Sequence, residues 1–112
     1  MQSVLHLVSG DESEQETTLT IAKNLLEDES GDIDDVAVVA QAGGIEAITS
    51  DGGFTEEVES LAENGASFKA CANTLEMEGI DESELLGNAE TVPEGAVEVT
   101  RLENEGYAYM RP

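Results

Sequence analysis

Phe68-Lys69-Ala70-Cys71-Ala72-Asn73-Thr74-Leu75-Glu76-Met77-Glu78-Gly79 is the stretch on which the fold turns. Its first residues read as the end of a buried strand, its middle as a turn and its remainder as the start of a helix. Asn73 with Glu76 three places on forms an N-x-x-E capping pattern, which predicts a helix starting just after Asn73. A strand that hands over to a helix through so short a turn is the unit of a parallel α/β sheet. The stretch also carries the only cysteine of the chain, Cys71. That placement puts a thiol beside a helix N-terminus, where unpaired N–H groups and the helix dipole favour an anion. The thiolate is the reactive form of cysteine.

Outward from this unit, the same alternation repeats. Val4-Leu5-His6-Leu7-Val8 is a short apolar run broken only by His6, as in a strand covered on both faces. Ser9-Gly10 turn the chain, and Asp11 with Glu14 repeats the capping spacing ahead of a helix expected to reach about Glu29. Leu19, Ala22 and Leu26 form its inward stripe, with Ile21 and Leu25 beside them. Val36-Ala37-Val38-Val39-Ala40 is the second strand, followed by Gln41-Ala42-Gly43-Gly44 and a short helix through Ile45, Ala47 and Ile48. Phe54, Val58, Leu61 and Ala62 share a helical face, and Ser67–Ala70 is the third strand, delivering Cys71. Asp81 and Glu84 again have capping spacing. Glu90-Thr91-Val92 is a fourth strand, Pro93–Glu105 holds the last helix, and Tyr107-Ala108-Tyr109-Met110 is a fifth strand of unassigned direction. The expected fold is α/β, three-layer α/β/α with a mostly parallel five-stranded sheet, in one domain spanning residues 1–112.

Charge is the extreme feature of the composition. Twenty-six Asp and Glu face four Lys and Arg, for a net charge of −22 over 112 residues. The acids are spread over every expected helix and loop rather than gathered in a tail. Such a surface repels itself in ordinary cytosol. At molar salt the Debye length falls to about 3 Å and the repulsion is screened. The composition therefore fits a high-salt cytoplasm. It argues against nucleic acid and anionic membranes as partners, because no basic patch is available to meet them. No apolar run is long enough to span a bilayer, and Met1-Gln2-Ser3 lacks the basic start of a signal peptide. One cysteine excludes an intrachain disulfide framework and a four-cysteine zinc site. The Asp28–Asp35 acid run lacks the ligand spacing of a calcium loop, and no cofactor motif is present.

Ligands of an open parallel sheet bind beyond the carboxyl ends of its strands. Three turns meet there. They offer Cys71 as a nucleophile and Ser9, Gly10, Gly43, Gly44, Ala72, Asn73 and Thr74 as ligand-lining positions. Each has a plainer reading beside it. Cys71 fits equally as a small buried hydrophobe. Gly43-Gly44 fits an ordinary tight turn better than a phosphate loop, since no Walker or dinucleotide pattern surrounds it. His6 could shuttle protons, but its mid-strand position fits a sheet histidine satisfied by a backbone or subunit-interface partner better. Lys69 is a counter-charge for Cys71 only if strand alternation keeps the two on one face.

These residues carry a resemblance to a known family. Val4–Val8 followed by Ser9-Gly10-Asp11, the segment Ala22-Lys23-Asn24-Leu25-Leu26, the run Gly65–Leu75, and the ending Gly106-Tyr107-Ala108-Tyr109-Met110-Arg111-Pro112 resemble the DsrE/DsrF-like proteins of the DsrEFH superfamily. The strand-end Cys71, with Gly79 eight residues on, is the most telling element. The resemblance implies an α/β/α fold and assembly as homotrimers or hexamers. It also implies sulfur handling, in which the strand-end cysteine holds a persulfide and passes it between donor and acceptor proteins. Thr74 stands where some relatives carry a second cysteine. Without the persulfide, the same fold would serve as a non-catalytic oligomeric module that binds a small ligand or anion.

Overall fold

The computed structural model describes residues 1–112. Five parallel strands form one sheet in the order β4-β3-β2-β1-β5, where β1 is Gln2–Leu7, β2 Asp35–Ala40, β3 Ser67–Cys71, β4 Glu90–Val92 and β5 Tyr107–Met110. The expected mostly parallel sheet is thus fully parallel, and the strand of unassigned direction lies at the edge beside β1. Helices α1 (Glu12–Leu26), α2 (Thr55–Glu63), α3 (Ala72–Glu78) and α4 (Gly95–Asn104) connect the strands.

Handedness explains the layers. The steps β1→β2→β3→β4 each move one strand in the same direction, so right-handed crossovers put α1, α2 and α3 on one face. The last step runs back past three strands to β5, so α4 must cross the opposite face. The two cores match. Leu5, Leu7, Val36, Val38, Phe68 and Ala70 pack under Leu19, Val58, Leu61 and Leu75 on the first face. Val4, Ala37 and Val39 meet Val99 and Leu102 of α4 on the second.

Local signals decide most boundaries. Asp11 caps α1 through its side chain, accepting from the Glu14 N–H at 3.0 Å. Asp81 and Glu84 form a reciprocal capping box on a 3-10 turn, Glu82–Glu84. Helix α1 stops at Leu26 instead of near Glu29, since beyond it Asp28 and Ser30 bond each other in a turn. The segment after β2 is a 3-10 helix, Ala42–Ile48, entered through Ala42 at φ 51°. The last helix begins at Gly95, two residues after Pro93, because Glu94 is its N-cap.

Tyr107 secures the edge strand. Its hydroxyl donates to Asp35 of β2, reaching across Gln2 of the intervening β1. The bond to Asp35, with burial and the carboxylate's charge behind it, pushes the phenol up to about 12. A pKa raised in the folded state gives stability that is complete below the unfolded value, about 10, and fades as pH rises through about 12. In a Tyr109→Phe background, Tyr107 should therefore titrate late by phenolate absorbance. Tyr107→Phe should cost about 1 kcal/mol at neutral pH, read by denaturant unfolding. A phenolate midpoint near 10 would show the clasp absent in solution.

Candidate functional site

The carboxyl rim of the sheet is laced together by side chains. Gln15, 1% exposed on α1, donates to Ser9 O at 3.0 Å and to Gly43 O at 3.3 Å, tying the turn after β1 to the turn after β2. Thr74 Oγ1 accepts the Ala42 N–H at 3.0 Å, tying the turn after β2 to α3. Asn73 Nδ2 donates to Glu94 Oε2 at 2.8 Å, tying α3 to the start of α4.

This last bond corrects the expected helix start. Helix α3 begins at Ala72, with Cys71 in extended geometry (φ −68°, ψ 115°) as its N-cap residue and no side chain capping it. Asn73 already lies inside the helix. Its amide is drawn outward by Glu94, whose other oxygen accepts the Ala96 N–H at 3.1 Å and caps α4. The Asn73 amide first, then the Ala96 N–H, holds the Glu94 carboxyl below its usual range.

Between β3 and β4 the connections part to opposite faces of the sheet, α3 to one and α4 to the other. That divergence is the position at which open parallel sheets form ligand crevices. Cys71 stands at the end of β3, paired in register with Val92 of β4. Its side chain is 1% exposed. By strand alternation it shares the α4 face with Lys69. Lys69 also has carboxylate partners there. Its ammonium lies 3.3 Å from Glu98 of α4 and 3.6 Å from Glu90 of β4. Glu98 is itself 7% exposed, and Arg101 joins Lys69 on it. The Arg101 hydrogen bonds and then Lys69 outweigh burial and lower the Glu98 carboxyl.

His6 has two side-chain partners within the chain and no backbone partner on its ring. Nε2 lies 2.6 Å from Gln41 Oε1, which can only accept, so Nε2 carries the proton. Nδ1, 2.8 Å from the Tyr109 hydroxyl, then accepts from it. The two rings meet edge to face at 5.6 Å.

Gly43 and Gly44 have a packing role. A Cβ on Gly44 would lie 2.0 Å from Leu7 O, and one on Gly43 would lie 2.7 Å from Gly10 N. Their bareness lets the turns after β1 and β2 touch backbone to backbone. Of the expected site residues, the structure brings Ser9, Gly10, Gly43 and Gly44 into one contact. It links Thr74 to them through Ala42, and leaves Cys71, Ala72 and Asn73 at the β3–β4 divergence. Sequence reading passed over Gln15, Gln41 and Glu94. Gln15 did leave a signal: it precedes Leu19 and Ala22 by one and two helical turns, on the buried stripe.

A five-stranded parallel sheet in this order, with helices on both faces, defines a three-layer α/β protein. The model built for the DsrE/DsrF-like family matches residues 2–112, and the chain belongs to that family. It is similar in structure to a protein of unknown function from Methanobacterium thermoautotrophicum, with 32% identity and a TM-score of 0.91 over 99% of this chain and 98% of that one. A conserved protein of unknown function from Bacteroides thetaiotaomicron shares the fold at 11% identity, with a TM-score of 0.73 over 99% and 94% of the two chains. No curated protein matches the chain.

Proposed function

We propose that the protein is a sulfur carrier, with Cys71 as the atom that holds the cargo. The Cys71 thiolate attacks the outer sulfur of a donor persulfide. A new S–S bond forms as the donor thiolate leaves, and Cys71 becomes a persulfide. An acceptor thiolate then attacks that outer sulfur, and the Cys71 thiolate leaves in turn. No net oxidant is needed, and a single cysteine suffices because the resolving thiol belongs to the partner. The observation that carries this reading is the place of Cys71, at the strand-end divergence of a DsrE/DsrF-like fold. Its near-complete burial requires the rim to open when a partner docks.

The test is mass spectrometry of the intact protein after incubation with a low-molecular-weight persulfide. One added sulfur is expected, removable by a thiol and absent from Cys71→Ser. An unmodified Cys71 in folded protein would overturn the proposal. A second reading rests on the same burial: Cys71 as packing in a non-catalytic ligand-binding module. There Cys71→Ser keeps the biological role intact.

We further propose a homotrimer or hexamer working in the cytoplasm at high salt. Exposed apolar groups support the assembly: Met77 on α3 is 82% exposed and Val97 on α4 is 65% exposed. No helix is long and apolar enough to cross a membrane. Sedimentation in molar potassium chloride should give three or six times the mass of one chain; the mass of a single chain would end this part of the proposal.

A further inference from the structure

We propose that the cavity at the carboxyl ends of β1 and β5 binds a small zwitterion, a free α-amino acid with a short side chain. The cavity holds about 280 Å³, and its lining includes His6, Ser9, Glu14, Thr18, Arg111 and Pro112. Its volume lies just under the roughly 300–1,000 Å³ of pockets for drug-sized ligands, so its occupant is small. Cys71 does not line it, and the site stands or falls without the persulfide.

Charge selects the ligand. The chain has four Lys and Arg residues among 26 carboxylates, yet Arg111, like Lys23, is in no ion pair. Lys69 and Arg101 are both spent on Glu98. Glu14 shares the cavity with Arg111 but lies beyond ion-pair distance from it, and one of its oxygens accepts from Ser9 Oγ while the other is unclaimed. A cation and a carboxylate that line one small cavity without meeting leave a gap that a molecule of both charges can bridge. The carboxylate of the ligand would take the Arg111 fork, which suits bidentate pairing. Its ammonium would take the free Glu14 oxygen.

The alternatives fit less well. A simple anion would meet the Glu14 carboxylate in the same cavity. A simple amine would meet Arg111 unpaired. A zwitterion satisfies both walls.

Titration calorimetry with the full chain in molar potassium chloride tests the proposal, using L-alanine, acetate and ethylamine as probes. Alanine should bind in the millimolar range or tighter, with acetate and ethylamine at least tenfold weaker. Arg111→Gln and Glu14→Gln should each weaken alanine at least tenfold. Arg111 lies outside every helix and strand, and glutamine at position 14 keeps a side-chain oxygen for Ser9, so both variants should fold, as circular dichroism would verify. The proposal is overturned by acetate or ethylamine binding as tightly as alanine, by alanine binding that survives both substitutions, or by no alanine binding at tens of millimolar.

Discussion

Gly44→Ala is expected to cost about 3 kcal/mol or more, the upper end for an overpacked site, and to leave much of the chain unfolded. The added Cβ would fall 2.0 Å from Leu7 O and 2.4 Å from Leu7 C. Both are backbone atoms of β1, and Leu7 O already accepts the Gln41 N–H at 3.1 Å. Neither can rotate aside as a side chain would. Relief requires prising the turn after β2 away from β1, which also breaks the Gly44 N–H bond to Val8 O. A domain of this size has only about 5–15 kcal/mol of stability in total. Gly10→Ala is the matched control, since its Cβ would meet Gly43 Cα at 3.7 Å and Gly43 O at 4.0 Å, both ordinary contacts. Urea unfolding of the two variants should differ by most of the Gly44→Ala effect. Equal midpoints would mean that the two turns are not in backbone contact in solution.

Glu98→Gln is expected to cost about 3 kcal/mol, as for a buried ion pair broken from one side. Lys69, its side chain 15% exposed, would keep only Glu90 at 3.6 Å, and Glu90 is exposed to solvent. The penalty comes from an under-partnered buried ammonium more than from a lost attraction. The double variant Lys69→Met with Glu98→Leu should therefore recover most of the loss, because apolar groups of similar volume replace a buried pair at little cost. Buried pairs are screened far less than surface ones, so molar salt should not rescue Glu98→Gln. Protonation imitates the substitution. The Glu98 carboxyl is lowered by Arg101 and Lys69, so its contribution is complete above the ordinary carboxylate range and is lost as pH falls through the lowered folded value. Denaturant midpoints for the single and double variants, taken at neutral and acid pH, check both statements. A double variant no better than Glu98→Gln would refute the desolvation account.

The architecture was legible in the chain because its signals are local. Val36–Ala40 is uncharged and β-branched, and it forms β2. Asp11 and Asp81 found their acceptor roles three residues away or fewer, where the pattern placed them. Asn73 carried the same pattern and failed, because its partner, Glu94, is 21 residues distant in sequence and adjacent in space. No local rule contains that competition. The rim shows the same limit. Gly43-Gly44 was readable as a turn, but that the pair makes room for Leu7 and Gly10 depends on two strands lying side by side. Lys69 was placed on the correct face by alternation, while its capture by Glu98 required knowing where α4 crosses. The direction of β5 followed from nothing in its own four residues.

The two outer strands are brief, three residues in β4 and four in β5. A second copy that tried to lengthen the sheet sideways would gain only a few ladder rungs, and at one border would bring Glu90 against another acid-rich chain. Continuous cross-molecule sheets are thus a poor route to association for this protein. Copies that do come together must meet broadside, helix or open sheet surface against its counterpart, where Val97 and Tyr109 already stand uncovered.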